Sequence, residues 1–124
     1  MYELFILNSD LYTSFIFETL ELAKKSACKS IVEHFVNISE ELKSHLSDLK
    51  NTLGKQISSE LISSYNEEIE MLETAAEKFN NQKYDDLIDT YNTYYEDYFS
   101  FEDKLPMSIS EFKPYNKIVP VLFY

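Results

Sequence analysis

The chain has 124 residues, enough for one domain that buries roughly two thirds of the surface its unfolded form exposes, so folding requires neither a disulfide nor a metal. Its 22 acidic residues face 11 basic ones, all of them lysine, and the net charge of −11 argues against direct binding to nucleic acid, which depends on neutralising phosphates with cations. The single cysteine, Cys28, excludes an internal disulfide, and no apolar run approaches the roughly 20 residues of a membrane-spanning helix.

In chain order, Tyr2 to Leu7 is apolar and aromatic and suits a strand or extended arm, with an early helix start as the alternative. From Ile16 onward apolar residues recur at Leu20, Ala23, Ala27, Ile31, Phe35, Ile38, Leu42, Leu46, Leu49 and Leu53. Every step is three or four residues, the spacing of one helical face. The stripe predicts helix over residues 10–53, either as one rod starting near Asp10 or as two that break between Lys24 and Ser30, where Ser30 and Glu33 offer a capping box. Uncapped helices beyond about 25 residues are uncommon in compact domains, which favours two. Gly54 then serves as the C-terminal cap.

Ser58 or Ser59 caps a third predicted helix, residues 58–79, with Ile62, Tyr65, Ile69, Leu72, Ala76 and Phe79 as its seam. A fourth, residues 82–101, has Tyr84, Leu87, Tyr91, Tyr94, Tyr98 and Phe101 as its seam and stops before Pro106. Residues 104–124 read as an extended arm, whose last run, Ile118 to Tyr124, suits either a strand pairing with the first, confined by Pro120 to a sheet edge, or a tail laid over a hydrophobic groove. The expectation is a mainly α single domain, an antiparallel bundle of about four helices with short extended or strand-like N- and C-terminal segments.

Asp89 to Asp103 packs six aromatic rings and five carboxylates into fifteen residues. On a wheel at about 100° per residue the rings from Tyr84 to Phe101 form one arc, and Asp85, Asp86, Asp89, Glu96 and Asp97 the opposite one. The arc is core first. Buried tyrosine hydroxyls need partners, which places most of these rings at the rim, where Tyr94 and Tyr95 are candidate anchors for a partner.

The charge is uneven. Residues 1–55 carry eight acids and six lysines, net −2; residues 56–103 carry thirteen acids and two lysines, net −11; residues 104–124 are net +2. Like charges fall at helical contact spacing, Glu67 with Glu70, Glu70 with Glu73, Glu73 with Glu77 and Asp85 with Asp89, each pair costing about 0.2–0.5 kcal/mol. A solvated face that maintains solubility accounts for part of this pattern. A face complementary to a basic protein accounts for its concentration, because such a field accelerates encounter and fixes orientation. Glu67, Glu70, Glu73, Glu77, Asp85, Asp86, Asp89, Glu96 and Asp97 are the expected steering residues.

No constellation carries catalysis. His34 and His45 lie eleven residues apart on nearly one helical face, with Glu41 a turn before His45, but the axial rise of roughly 16 Å keeps both rings from one ion. Neither has a glutamate three residues before it, so the helix-bundle di-iron signature is absent. One glycine cannot build a phosphate-cradling loop or a nucleophile elbow. Cys28 lies near Lys24, Lys25 and Lys29 without a neighbouring histidine in sequence and reads as a small half-buried thiol. No metal or cofactor is expected. The unpaired cysteine and the lack of a basic segment leading into an apolar run at the start set the expectation of a reducing, cytoplasmic setting.

Glu33-His34-Phe35-Val36-Asn37-Ile38-Ser39-Glu40 resembles a helix-two segment of the small acidic immunity proteins that neutralise colicin-type nucleases. The likeness covers eight residues and implies a four-helix inhibitor, with no functional residue carried over. Charge and resemblance lead to one expectation: a non-enzymatic acidic binding protein that inhibits a basic partner, a nuclease or another nucleic-acid-handling effector, by electrostatic mimicry, as immunity, antitoxin and anti-defence proteins do. The rivals are an assembly subunit that homo-oligomerises through the aromatic arc and, further off, a metal- or thiol-dependent enzyme.

Overall fold

The computed structural model describes residues 1–8, 11–81, 85–99 and 104–112. Its elements are β1 (Tyr2–Asn8), β2 (Leu11–Phe17), α1 (Leu20–Leu53), a 3-10 turn (Gly54–Gln56), α2 (Ser59–Asn81), α3 (Leu87–Tyr98) and β3 (Met107–Glu111). The protein is mainly helical, with three described helices where about four were expected, and its terminal segments join in an antiparallel sheet. The chain gathers into two compact units. One comprises the described residues up to Ala27 and those from 85 onward; the other runs from Cys28 through the end of α2.

In the first unit the sheet order is β2-β1-β3. β1 pairs antiparallel with β2 from Tyr2↔Phe17 to Asn8↔Leu11 and with β3 from Tyr2↔Glu111 to Ile6↔Met107. Bonds from the Leu7 N–H to the Pro106 carbonyl (3.0 Å) and from the Phe112 N–H to the Met1 carbonyl (2.8 Å) extend the second ladder at both ends. Helix was expected from residue 10, but Leu11–Phe17 is a strand. This run is dominated by β-branched and aromatic residues, which pay for helix formation in side-chain entropy and pack well on a pleated surface. The helix begins only after Thr19, whose Oγ1 accepts the Leu22 N–H at 3.2 Å while its carbonyl accepts that of Ala23 at 3.2 Å. The described C-terminal strand is Met107–Glu111; Ile118 to Tyr124, expected to pair with the first run, lies outside the described residues.

Alternation along β1 sends Leu4 and Ile6 to one face, level with Ile109 and Met107 of β3, and there Leu4, Ile6 and Met107 are buried. α3 buries Leu87, Tyr91 and Tyr95. The Tyr91 hydroxyl donates to the Leu105 carbonyl at 2.9 Å and accepts the Leu105 N–H at 3.1 Å, tying α3 to the segment that leads into β3. The buried line of α3 is thus the fourfold series Leu87, Tyr91, Tyr95. The expected seam through Tyr94 and Tyr98 turns outward instead: Tyr94 is half-buried and Tyr98 is 56% exposed. Tyr84 and Phe101, its expected ends, lie outside the described residues.

α1 begins in the first unit and continues into the second without the expected break between Lys24 and Ser30. No glycine or proline interrupts Leu20–Leu53, and a backbone with no breaker continues its hydrogen-bond ladder. The buried positions Ala23, Ala27, Ile31, Phe35 and Ser39 are spaced by four, so the line precesses around the rod by about 40° per step. Ser39 thereby takes the buried place expected for Ile38, which is half-buried.

α2 returns antiparallel to α1. Phe35 stacks on Phe79 with ring centroids 6.0 Å apart, Lys43 reaches Glu73 at 3.4 Å, and His45 meets Tyr65 edge-on at 5.6 Å. Ser58 caps α2, its Oγ accepting the Leu61 N–H at 3.1 Å. Ile69, Leu72, Ala75, Ala76 and Phe79 are buried. Gly54 sits at φ +56°, the left-handed conformation that ends a helix at little cost to glycine. Among the described residues no helix is long and apolar enough to cross a membrane.

Candidate functional site: an acidic groove and an acidic helix end

The α1–α2 hairpin closes about Gly54 and Ser58, so residues roughly equidistant from that turn meet across the pair. Leu46 from α1 and Ile69 from α2, both buried, form the floor of a groove of about 520 Å³. Glu70, Glu73, Glu77, Asn66 and Thr74 line it from α2, and Lys43, Lys50 and Ser47 from α1. Glu70, Glu73 and Glu77 are exposed. They recur every three or four residues on one strip of α2, the spacing that stacks side chains one turn above another.

Three of the four acids expected on this helix therefore share a concave surface. Glu67 is also exposed but does not line the groove. Sequence reasoning missed the facing wall: Lys43 pairs with Glu73 at 3.4 Å and with Glu40 at 3.7 Å, so the acidic strip is partly neutralised at its middle. The signal was present, since folding the chain about the middle of the Gly54–Ser58 turn brings Lys43 opposite Ile69, beside Glu70. These are exposed ion pairs, worth about 1 kcal/mol or less, and a competing cation can displace the lysine.

The remaining expected residues belong to the first unit. Asp85 and Asp86 precede α3, and Asp89, Glu96 and Asp97 lie on it; all five are exposed. The Asp86 carboxylate, which accepts a hydrogen bond from protonated Asp89 and carries a like negative charge beside it, raises the pKa of Asp89 above the ordinary carboxylate value. Two like groups thus crowd the start of the helix. Thr90 helps to shape this end, donating both its N–H (3.0 Å) and its Oγ1 (2.8 Å) to the Asp86 carbonyl.

The two expected anchors separate. Tyr95 is 1% exposed, in edge contact with Tyr91 (5.7 Å) and tilted against Phe99 (5.3 Å); a ring so enclosed has no area to offer a partner, and it is a core residue. Tyr94 is half-buried and lies 4.8 Å from the exposed ring of Tyr98, which sequence reasoning assigned to the core. A fourfold step along a helix makes such a pair, and exposure selects Tyr94 and Tyr98 as the accessible rings.

The sequence's chemical candidates are occupied structurally. The Cys28 thiol donates to the Phe79 carbonyl at 2.7 Å, satisfying one of the acceptors that the C-terminal turn of α2 leaves open, and burial raises its pKa, which disfavours the thiolate. His45 Nδ1 lies 2.9 Å from the Tyr65 hydroxyl, bridging α1 and α2. His34 is half-buried, its ring tilted 6.0 Å from that of Phe35. No family model, curated protein or solved structure matches the chain.

Proposed function

We propose that the protein is a non-enzymatic acidic binding protein that inhibits a basic, nucleic-acid-handling partner by occupying its phosphate-binding surface. The observation that carries the reading is the groove between α1 and α2, where Glu70, Glu73 and Glu77 stand in a row beside an apolar floor of Leu46 and Ile69. Carboxylates at intervals of one turn, about 5.4 Å, offer a lysine- or arginine-rich element repeated acceptors. The floor supplies area to bury beneath them, and burial rather than rim charge holds a complex together. The acids around α3, with Tyr94 and Tyr98 beside them, offer the same chemistry on the first unit. Such a protein suits the role of an immunity protein, an antitoxin or an anti-defence protein.

The test is affinity capture from the organism that encodes the chain, run in parallel with two charge-reversed variants, E70K/E73K/E77K and D85K/D86K/D89K. All eight-tenths or more of the helical circular dichroism should be kept by both variants, since every substituted residue is exposed. The expected captive is a basic protein whose binding to labelled nucleic acid is abolished by the wild-type chain and spared by the E70K/E73K/E77K variant. A captive whose nucleic-acid binding is untouched, or an identical capture by all three proteins, would falsify the assignment.

A further inference from the structure

We infer that β2 is a self-association edge, through which two copies of the chain join their sheets. β1 occupies the centre of the sheet, so β2 is paired on one side only, and among the described residues its outer side meets no strand. About half of the N–H and C=O groups of an edge strand point away from its neighbour and await a partner. Soluble proteins blunt such edges with lysine, proline, bulges or short strands. β2 has none of these: it is seven residues long, pairs with β1 in unbroken register, and holds no charged residue and no proline. It also exposes Tyr12 (74%), Phe15 (44%) and Ile16 (43%).

The pattern of the strand selects a second copy as the occupant. Antiparallel pairing of β2 with itself about Ser14 sets Tyr12 opposite Ile16 of the second copy and Thr13 opposite its Phe15. Aromatic against β-branched is among the favourable cross-strand combinations. Each pair occurs twice by symmetry, as an isologous twofold contact requires. Charge points the same way. Two chains of net −11 repel wherever acids meet acids, and β2 holds no carboxylate of its own: Glu3 of β1, which reaches it, is buried and accepts the Ser14 Oγ–H at 2.6 Å, and the chain turns into a bend at Glu18 as the strand ends. The outer edge of β3 is a poorer candidate: it is five residues long, ends on Glu111 and exposes no large apolar side chain.

Sedimentation equilibrium and light scattering on the full chain test this directly, the expected mass being twice the 14.6 kDa of one chain. The variant Y12K/I16K places lysine opposite lysine twice while changing only exposed side chains, and should weaken the dimer by about tenfold or more with circular dichroism unchanged. Register is read separately in a Cys28→Ala background. Ser14→Cys should cross-link two chains under mild oxidation, because directly opposed strand positions approach within disulfide reach, whereas Thr13→Cys should not. A monomer at every concentration, a dimer indifferent to Y12K/I16K, or equal cross-linking from positions 13 and 14 would each overturn the inference.

Discussion

Replacing Tyr91 with phenylalanine removes one oxygen from a side chain with no solvent exposure and leaves its ring packing in place. What is lost is the double contact with Leu105, a donated bond of 2.9 Å and an accepted one of 3.1 Å. Each neutral hydrogen bond contributes about 0.5–1.5 kcal/mol net, and stranding a buried partner costs more. Leu105 is half-buried, so water recovers part of the loss. The expected destabilisation is about 2 kcal/mol, or about 8 °C in Tm for a chain of this length at the usual unfolding entropy per residue. The effect also has a signature in pH. Burial raises the Tyr91 pKa and the hydrogen bond involving the Leu105 backbone lowers it by less, leaving it far above its ordinary value of about 10. With the folded pKa raised, the stability tied to the neutral hydroxyl is fully present below pH 10 and is lost as pH rises toward the folded value, because the unfolded chain ionises first. Urea unfolding of wild type and Tyr91→Phe, followed by circular dichroism at pH 7 and pH 11, should therefore show a gap that narrows in alkali. A gap below about 0.5 kcal/mol at pH 7, or one that stays constant to pH 11, would refute the reasoning.

Gly54→Ala should cost about 1–2 kcal/mol in urea unfolding: no atom lies within 4 Å of an added Cβ, so the whole penalty is the φ of +56°. Ser39→Ala should stabilise by about 1 kcal/mol, since the Ser39 hydroxyl is buried without a hydrogen-bond partner and alanine is the better helix former; a fall in Tm would contradict this. Cys28 should react with a disulfide reagent at pH 8 more slowly than a free thiol, and at the free-thiol rate once the chain is unfolded, because its raised pKa lowers the thiolate fraction.

Periodicity carried the helices and failed where two periods competed. The threes and fours from Leu20 to Leu53 gave α1, and no residue in that run can end it, so a prior against long helices was outweighed by the absence of any breaker. Ile16 and Leu20 are also four apart, which extended the helical stripe backward over β2. The opposing signals were the aromatic and β-branched content of Leu11–Phe17 and a capping Thr19 three residues before Leu22. On α3, threefold and fourfold steps fit equally well beyond Tyr91, and what separates them is the enclosure of Tyr95 against Tyr91 and Phe99 while Tyr98 stays exposed. The acids on α2 and α3 were legible as charge from composition alone. Their partition between a groove and a helix end was not, because it depends on which residues of α1 stand opposite, a tertiary fact that the helical wheel does not contain.

The division of charge along the chain gives the two proposed surfaces opposite responses to salt. The acids of α2 and α3 would meet a basic partner through attraction between exposed charges, and the screening length falls from about 10 Å at 0.1 M to about 3 Å at 1 M. That association must weaken as salt rises. β2 has no charge to screen, and what opposes its pairing is the general repulsion between two chains of net −11, which salt removes while leaving apolar burial intact. Dimerisation must therefore hold or strengthen over the same range. A dimer that dissociates in 1 M sodium chloride cannot be joined through the neutral strand, and its contacts would have to be sought among the carboxylates and lysines of the helices.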